Sequence, residues 1–227
     1  MLNKSWELYK DKFETLIGIA AIPIVANFLI LLPLVVGGVL SGAFLRGVGI
    51  TNAVKIMIAV PLALLAIAWV VLVTLWPAVA MIYAVKEEIG FKKSFKKAWP
   101  KIGSYFWVNL LSGLAVTIGM ILLIIPGIIF AVWFVLANYA LIVEGKKGSN
   151  ALSRSKELVK GNWWSVFGRI LFMGLIGIVV GAVLGAVPLI GPLASNLLLT
   201  PFSIVYFFML YKDLKEEESE EVVAEEL

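Results

Sequence analysis

No cysteine and no histidine occur in the 227 residues. The first absence excludes disulfides and thiolate chemistry; the second removes the usual proton shuttle and the commonest transition-metal ligand. Charge is scarce as well. Asp, Glu, Lys and Arg make up 15% of the chain against 61% hydrophobic residues, where a soluble domain holds roughly 45–50% apolar and 25% charged residues. No polar stretch reaches the ~40–60 residues that a separate core needs, so no soluble domain is expected. The signatures of a phosphate-binding P-loop, a zinc-protease helix, an EF-hand loop and a nucleophile elbow are missing. Catalysis, cofactors and metal sites are therefore not expected.

What is present is apolar sequence in long runs. A helix needs ~20 residues to cross a hydrocarbon core of ~30 Å, and six runs qualify: 15–36, 54–84, 105–125, 128–143, 163–187 and 193–211. The first lacks the small-residue cleavage site of a signal peptide and reads as a retained helix. The fold class expected is an all-α integral membrane protein with six transmembrane helices. Residues 1–215 form one polytopic membrane domain, and 216–227 an acidic disordered tail.

Charge orients the chain. The basic segments 86–101 and 146–160 fall in every second gap, while the turns at Pro126-Gly127 and 188–192 carry no charge. Lys and Arg collect in cytoplasmic loops, so both termini and both basic segments are expected inside, in the plasma membrane. The final twelve residues hold seven Glu and no cation. The other 215 carry all 19 Lys and Arg against eight acids, a net charge of +11. Such a face attracts anionic lipid headgroups at ~1 kcal/mol per cation near the surface. The tail either solubilises the chain or shields that face and recruits a basic partner.

A pattern recurs three times. A shift of 93 places Ser5-Trp6 on Ala98-Trp99, Phe13 on Phe106 and Pro33 on Pro126; a shift of 58 places Gly103–Phe106 on Gly161–Trp164. A shift of 56 matches Tyr83 with Tyr139 and Glu88 with Glu144, the only acid pair the repeat suggests. Each unit reads as a short amphipathic helix followed by a pair of membrane helices, all entering from one side. That makes three parallel units, not an inverted repeat.

The connectors carry the candidate contacts. Phe91, Phe95, Ala98, Trp99 and Ile102 fall on one helical face, with Lys92, Lys93, Lys96 and Lys97 opposite. In 151–160 the less polar face is Ala151, Leu152, Ser155, Leu158 and Val159, beside Arg154, Lys156 and Lys160; Leu2, Trp6, Tyr9 and Phe13 make a third stripe. With Lys101, Trp163 and Trp164 and the basic and tryptophan residues named, these connectors form an anionic-lipid collar or serve as ordinary interfacial anchors. Bilayer contact accounts for these lysines and aromatics, so no nucleic acid is expected.

No ionisable group lies near a helix centre, which gives proton-coupled transport little support. Arg169 is close enough to its helix start to reach the surface, and Arg46 and Lys55 flank the second span. Asn27 is the polar residue nearest mid-membrane and either lines a cavity or bonds between helices. Asn109, Asn138 and the scattered Ser and Thr residues suit interhelical hydrogen bonds, at ~0.6 kcal/mol each. Gly177, Gly181 and Gly185 form a small-residue stripe for helix packing, within the monomer or in a homodimer. Pro23, Pro61, Pro77 and Pro201 bend their helices.

Two segments carry a resemblance. One runs from Asn138-Tyr139-Ala140-Leu141 through Glu144-Gly145 and 151–161 to Trp163-Trp164. The other is Pro201-Phe202-Ser203-Ile204 followed by Tyr211-Lys212-Asp213-Leu214. Both resemble the membrane domain associated with some glycerophosphoryl diester phosphodiesterases and related uncharacterised six-helix prokaryotic membrane proteins. The resemblance implies the membrane architecture and an association with phospholipid metabolism. It does not imply the hydrolase, whose soluble barrel and histidine ligands have no counterpart in these residues. The expectation is a non-enzymatic membrane protein contacting anionic phospholipid, as a lipid-handling module or as the membrane subunit of a protein partner. A small-solute transporter or channel is the alternative.

Overall fold

The computed structural model describes residues 2–47, 52–187 and 190–225. These form ten α-helices: α1 (Leu2–Asp11), α2 (Phe13–Gly47), α3 (Asn52–Lys86), α4 (Phe91–Ala98), α5 (Ile102–Leu122), α6 (Ile124–Phe134), α7 (Ala137–Val143), α8 (Ser149–Lys160), α9 (Trp163–Gly185) and α10 (Ile190–Glu225). A 3-10 turn at Trp99–Lys101, with Pro100 inside it, joins α4 to α5. No strand occurs among the described residues. Six helical stretches are long and apolar enough to cross a membrane: Phe13–Ile30, Ala59–Lys86, Phe91–Leu122, Ile124–Val143, Trp163–Gly185 and Gly191–Glu220. The chain is an all-helical, multi-pass membrane protein.

The long helices form three hairpins, α2 with α3, α5 with α6–α7, and α9 with α10. Short amphipathic helices lie at the opposite end from the hairpin turns. Each packs on the hairpin that precedes it, α4 on α3 and α8 on α6 and α7, while α1 packs on α10 and joins the two ends of the chain. The three share one register. Ser5, Ser94 and Ser155 are fully buried, each lies eight residues before the start of the next long helix, and Tyr9, Ala98 and Val159 are buried one turn later. The serines thus align at offsets of 89 and 61, not at the 93 and 58 read from tryptophans and glycines.

Large apolar side chains contribute little to these contacts. On α1, Trp6 is 51% exposed and Leu2 and Phe13 are also exposed, while Ser5 and Tyr9 face the protein. On α4 and the turn after it, Phe91 and Trp99 are exposed, and Ser94 and Ala98 are buried. Only α8 buries the whole predicted face, from Ala151 to Val159. Between helices in lipid there is no hydrophobic driving force, so small residues that allow close backbone approach win the interface. Bulky rings turn to the acyl chains.

Burial is concentrated at this connector end. It includes Leu16 and Ile19 of α2, residues 79–85 of α3, residues 136–137 and 139–142 around α7, Val166 of α9, and Val205, Phe208, Leu210 and Tyr211 of α10. The hairpin ends are bare, as Phe28, Ile56, Ile121–Ile125, Ile178 and Val183 show.

Two breaks depart from the expected spans. The α5–α6 turn falls at Leu123, the only extended residue there (φ −161°, ψ 144°), and not at Pro126-Gly127. Pro126 sits in the first turn of α6, where its missing N–H costs nothing. The hairpin closes on glycine: a Cβ on Gly119 would lie 2.9 Å from the Gly127 Cα and from the Phe130 ring. The fourth span is broken at residues 135–136. There Ser155 Oγ accepts a hydrogen bond from Leu136 N–H (3.2 Å) and donates one to Trp133 O (2.6 Å). The orphan groups of the break are thereby satisfied from α8.

In the acidic segment α10 continues through residues 216–225. Glu and Ala favour helix, and two of these glutamates find partners on neighbouring elements, as follows.

Candidate functional site

Burying Ser94 and Ala98 turns the lysines of α4 outward. Lys93, Lys96, Lys97 and Lys101 line an open cleft of about 820 Å³ with Tyr83, Glu87, Ile89 and Pro100. One carboxylate answers these four ammonium groups, Glu87, which is paired with Lys97. Lys93, Lys96 and Lys101 have no ion pair among the described residues. The cleft is thus a multivalent cationic surface at the end of α3, suited to phosphate oxygens. The wall beneath is rigid. Trp76 Nε1 donates to Phe95 O (3.1 Å), and the Trp76 ring meets Phe95 and Trp99 edge-on at 5.1 and 5.0 Å. Lys92 is exposed on α4 outside the cleft.

The basic residues of α8 do three different things. Lys156 places its ammonium 4.4 Å from the Trp133 ring centre, a cation–π contact. Lys160 stands at the mouth of an apolar groove of about 430 Å³ lined by Ile125, Ile129, Trp133, Trp163 and Trp164. Arg154, expected to contact lipid, is paired with protein carboxylates. Its Nε donates to Glu144 (2.9 Å), its two terminal nitrogens donate to both oxygens of Glu218 (2.7 and 2.6 Å), and Glu157 lies 3.7 Å away. The planar fork of Arg suits such bidentate pairing, and three of its five N–H donors are used there.

Glu144 is the hub of this clasp. Tyr211 donates to it at 2.5 Å and Lys215 lies 3.3 Å away. Burial alone would raise the Glu144 carboxyl; the hydrogen bonds from Arg154 and Tyr211 and the charges of Arg154 and Lys215 outweigh that and hold it at about 2. The Arg154 guanidinium is held above its ordinary value, first by its hydrogen bonds to Glu218 and then by Glu144. Nearby, Lys86 donates to Ile142 O (2.8 Å), covering a carbonyl at the end of α7. The clasp thus joins α7, α8 and α10 at the connector end. It was not legible from spacing, because its members lie 10 and 64 residues from Arg154.

The other candidate residues are dispersed. Glu88 faces Lys12 at 3.8 Å while Glu144 holds Arg154, so the suggested acid pair serves two separate cations. No metal-ligand cluster occurs among the described residues. Asn27 Oδ1 is buried without a partner. It lies outside the lining of the cleft of about 280 Å³ formed by α2, α3 and α10, whose walls include Pro23, Thr74, Pro77, Asn196 and Thr200. Asn109 and Asn138 exchange two hydrogen bonds of 3.2 Å across helices, as expected. Thr74, Ser112, Ser195, Asn196 and Ser203 instead bond carbonyls of their own helices. A Cβ at Gly177, Gly181 or Gly185 meets nothing within 4 Å, although the Gly185 Cα lies 3.0 Å from where a Cβ on Gly191 would stand. The Arg169 terminal nitrogen is buried and lies 3.9 Å from Asp213 without a hydrogen bond. The side chains of Arg46 and Lys55 lie outside the described residues.

Residues 101–211 match a family described as a domain of unknown function (DUF7847). The match takes in α5 to α9 and α10 as far as Tyr211, and so includes Glu144, Arg154 and the aromatic groove. No curated protein and no solved structure matches the chain.

Proposed function

We propose that this is a non-enzymatic membrane protein that holds anionic phospholipid headgroups in the lysine cleft, as a lipid-handling module or as the membrane subunit of a partner. The connector end is cytoplasmic, both termini lie there, and the membrane is the plasma membrane; the basic connectors support this orientation. The architecture is three parallel units, each an amphipathic helix plus a helix pair, closed by α1 on α10. The common register of Ser5, Ser94 and Ser155 supports it. A homodimer through the open glycine face of α9 is compatible with the reading.

The observation that carries the function is the cleft itself, in which Lys93, Lys96 and Lys101 lack protein carboxylates. The resemblance to membrane domains of glycerophosphodiester hydrolases adds an association with phospholipid, with no hydrolytic residues to transfer. The test is native mass spectrometry of protein released from bilayers containing phosphatidylglycerol. The wild type should retain the anionic lipid in a defined ratio, and K93Q/K96Q/K101Q should lose most of it. Equal retention by the two proteins sinks the reading.

The cleft among α2, α3 and α10 favours a second reading, a path for a small solute. Flux through reconstituted vesicles that Asn196→Leu, in the wall of that cleft, abolishes would replace the first reading with it.

A further inference from the structure

The aromatic groove between α6 and α9 combines two surfaces that call for different halves of one ligand. Ile125, Ile129 and Trp133 lie at i, i+4 and i+8 on α6, a single apolar stripe about 12 Å long. A stripe one side chain wide seats one hydrocarbon chain. At its Trp133 end stands Lys160, whose ammonium has no ion pair among the described residues. There α9 begins. Its N-cap residue Asn162 makes no side-chain cap, and its amide nitrogen donates to Glu217 at 2.9 Å. The first amides of α9 are therefore left without a cap, at the positive end of a 23-residue helix. A second donor is unsatisfied in the same wall: Trp163 Nε1–H is buried with no acceptor, its ring stacked on Phe167 at 5.1 Å and met edge-on by Trp164 at 4.8 Å. Lys156, over the outer face of Trp133, adds a second positive charge. Of the nearby acids, Glu217 bonds Asn162 at the start of α9 and Glu157 lies beside Arg154, and neither pairs with Lys156 or Lys160.

We propose that this groove is a binding site for a single-chain anionic amphiphile, with its head between Lys160 and the start of α9 and its chain along the Ile125–Ile129–Trp133 stripe. Long-chain carboxylates and lysophospholipids share this chemistry. At about 430 Å³ the groove is within the ordinary size of small-ligand sites. It is separate from the lysine cleft, so the two readings stand or fall independently.

Quenching of tryptophan fluorescence by a dibrominated stearate tests it, with the full chain in nanodiscs of neutral phosphatidylcholine. The expected result is saturable quenching, weakened roughly tenfold in apparent affinity by Lys160→Gln and abolished by Ile129→Trp, which fills the groove. Lys93→Gln/Lys96→Gln/Lys101→Gln should leave it unchanged. Competition by unlabelled stearate but not by lysophosphatidylglycerol would assign the carboxylate, and the reverse would assign the lysophospholipid. The proposal is overturned if quenching is non-saturable, or if dibrominated phosphatidylcholine alone quenches to the same extent, which makes the groove a seat for bulk lipid. It is overturned equally if the triple lysine variant abolishes saturation while Lys160→Gln does not. The amphiphile would then sit in the lysine cleft, and only the earlier reading would survive.

Discussion

Leu141 and Ile121 are aliphatic side chains on the two arms of one hairpin, yet the first is fully buried and the second is 79% exposed. Leu141 lies at the connector end, where Ala137, Ala140 and Ala151 let helices approach and where Ser155 and the Glu144 clasp supply polar ties. Ile121 lies at the hairpin end, where nothing of the kind closes the gap. Burial inside this protein therefore follows small residues and satisfied polar groups, and the apolar side chains fill whatever is left between protein and lipid.

Truncating the two leucine-sized side chains should separate the ends most sharply. Leu141→Ala leaves a cavity and should cost about 2–5 kcal/mol. Ile121→Ala should stay within about 0.5 kcal/mol. Thermal unfolding in one detergent measures both, and equal losses would erase the distinction between the ends.

Breaking the clasp comes next. Arg154→Met leaves Glu144 and Glu218 facing each other without their cation. The cost should reach up to about 3 kcal/mol, below that of a fully buried pair because the site is partly wet. Its pH dependence has a definite sign. The Glu144 carboxyl is depressed from 4.5 to about 2, so its contribution is complete above the ordinary carboxylate value and drains away as pH falls from there toward 2. Melting temperatures at roughly pH 5 and pH 3 should diverge for the wild type more than for Glu144→Gln; parallel shifts would remove Glu144 as the cause.

Two glycines, one at each kind of helix contact, come last. Gly119→Ala drives a methyl against Gly127 and Phe130 and should cost about 1–3 kcal/mol. Gly181→Ala, with open space around it, should be neutral or stabilise by up to about 1 kcal/mol. If Gly181→Ala destabilises the protein by an amount that depends on its concentration, the glycine face pairs with a second copy.

The six spans were legible because length and apolarity alone fix them, and the five positions Ala151, Leu152, Ser155, Leu158 and Val159 were legible because a helical period fixes a face. On α1 and α4 the period marks an aromatic stripe but not the face packed on the protein. Trp6 and Trp99 are exposed, as suits side chains satisfied by lipid, and Ser5 and Ser94 take the protein side. The break at residues 135–136 could not be read from a continuous apolar run, because the group that completes it, Ser155, lies on another element. The lysine cleft was visible as charge, while the loss of Arg154 to Glu144 and Glu218 was hidden by sequence separation.

Ser155 also sets an order on biosynthesis. The fourth span enters the membrane with Leu136 N–H and Trp133 O unpaired, and the side chain that satisfies both is translated about twenty residues later. A nascent chain halted before α8 thus carries an unfinished helix in lipid. The span is completed only when the following connector folds back onto it.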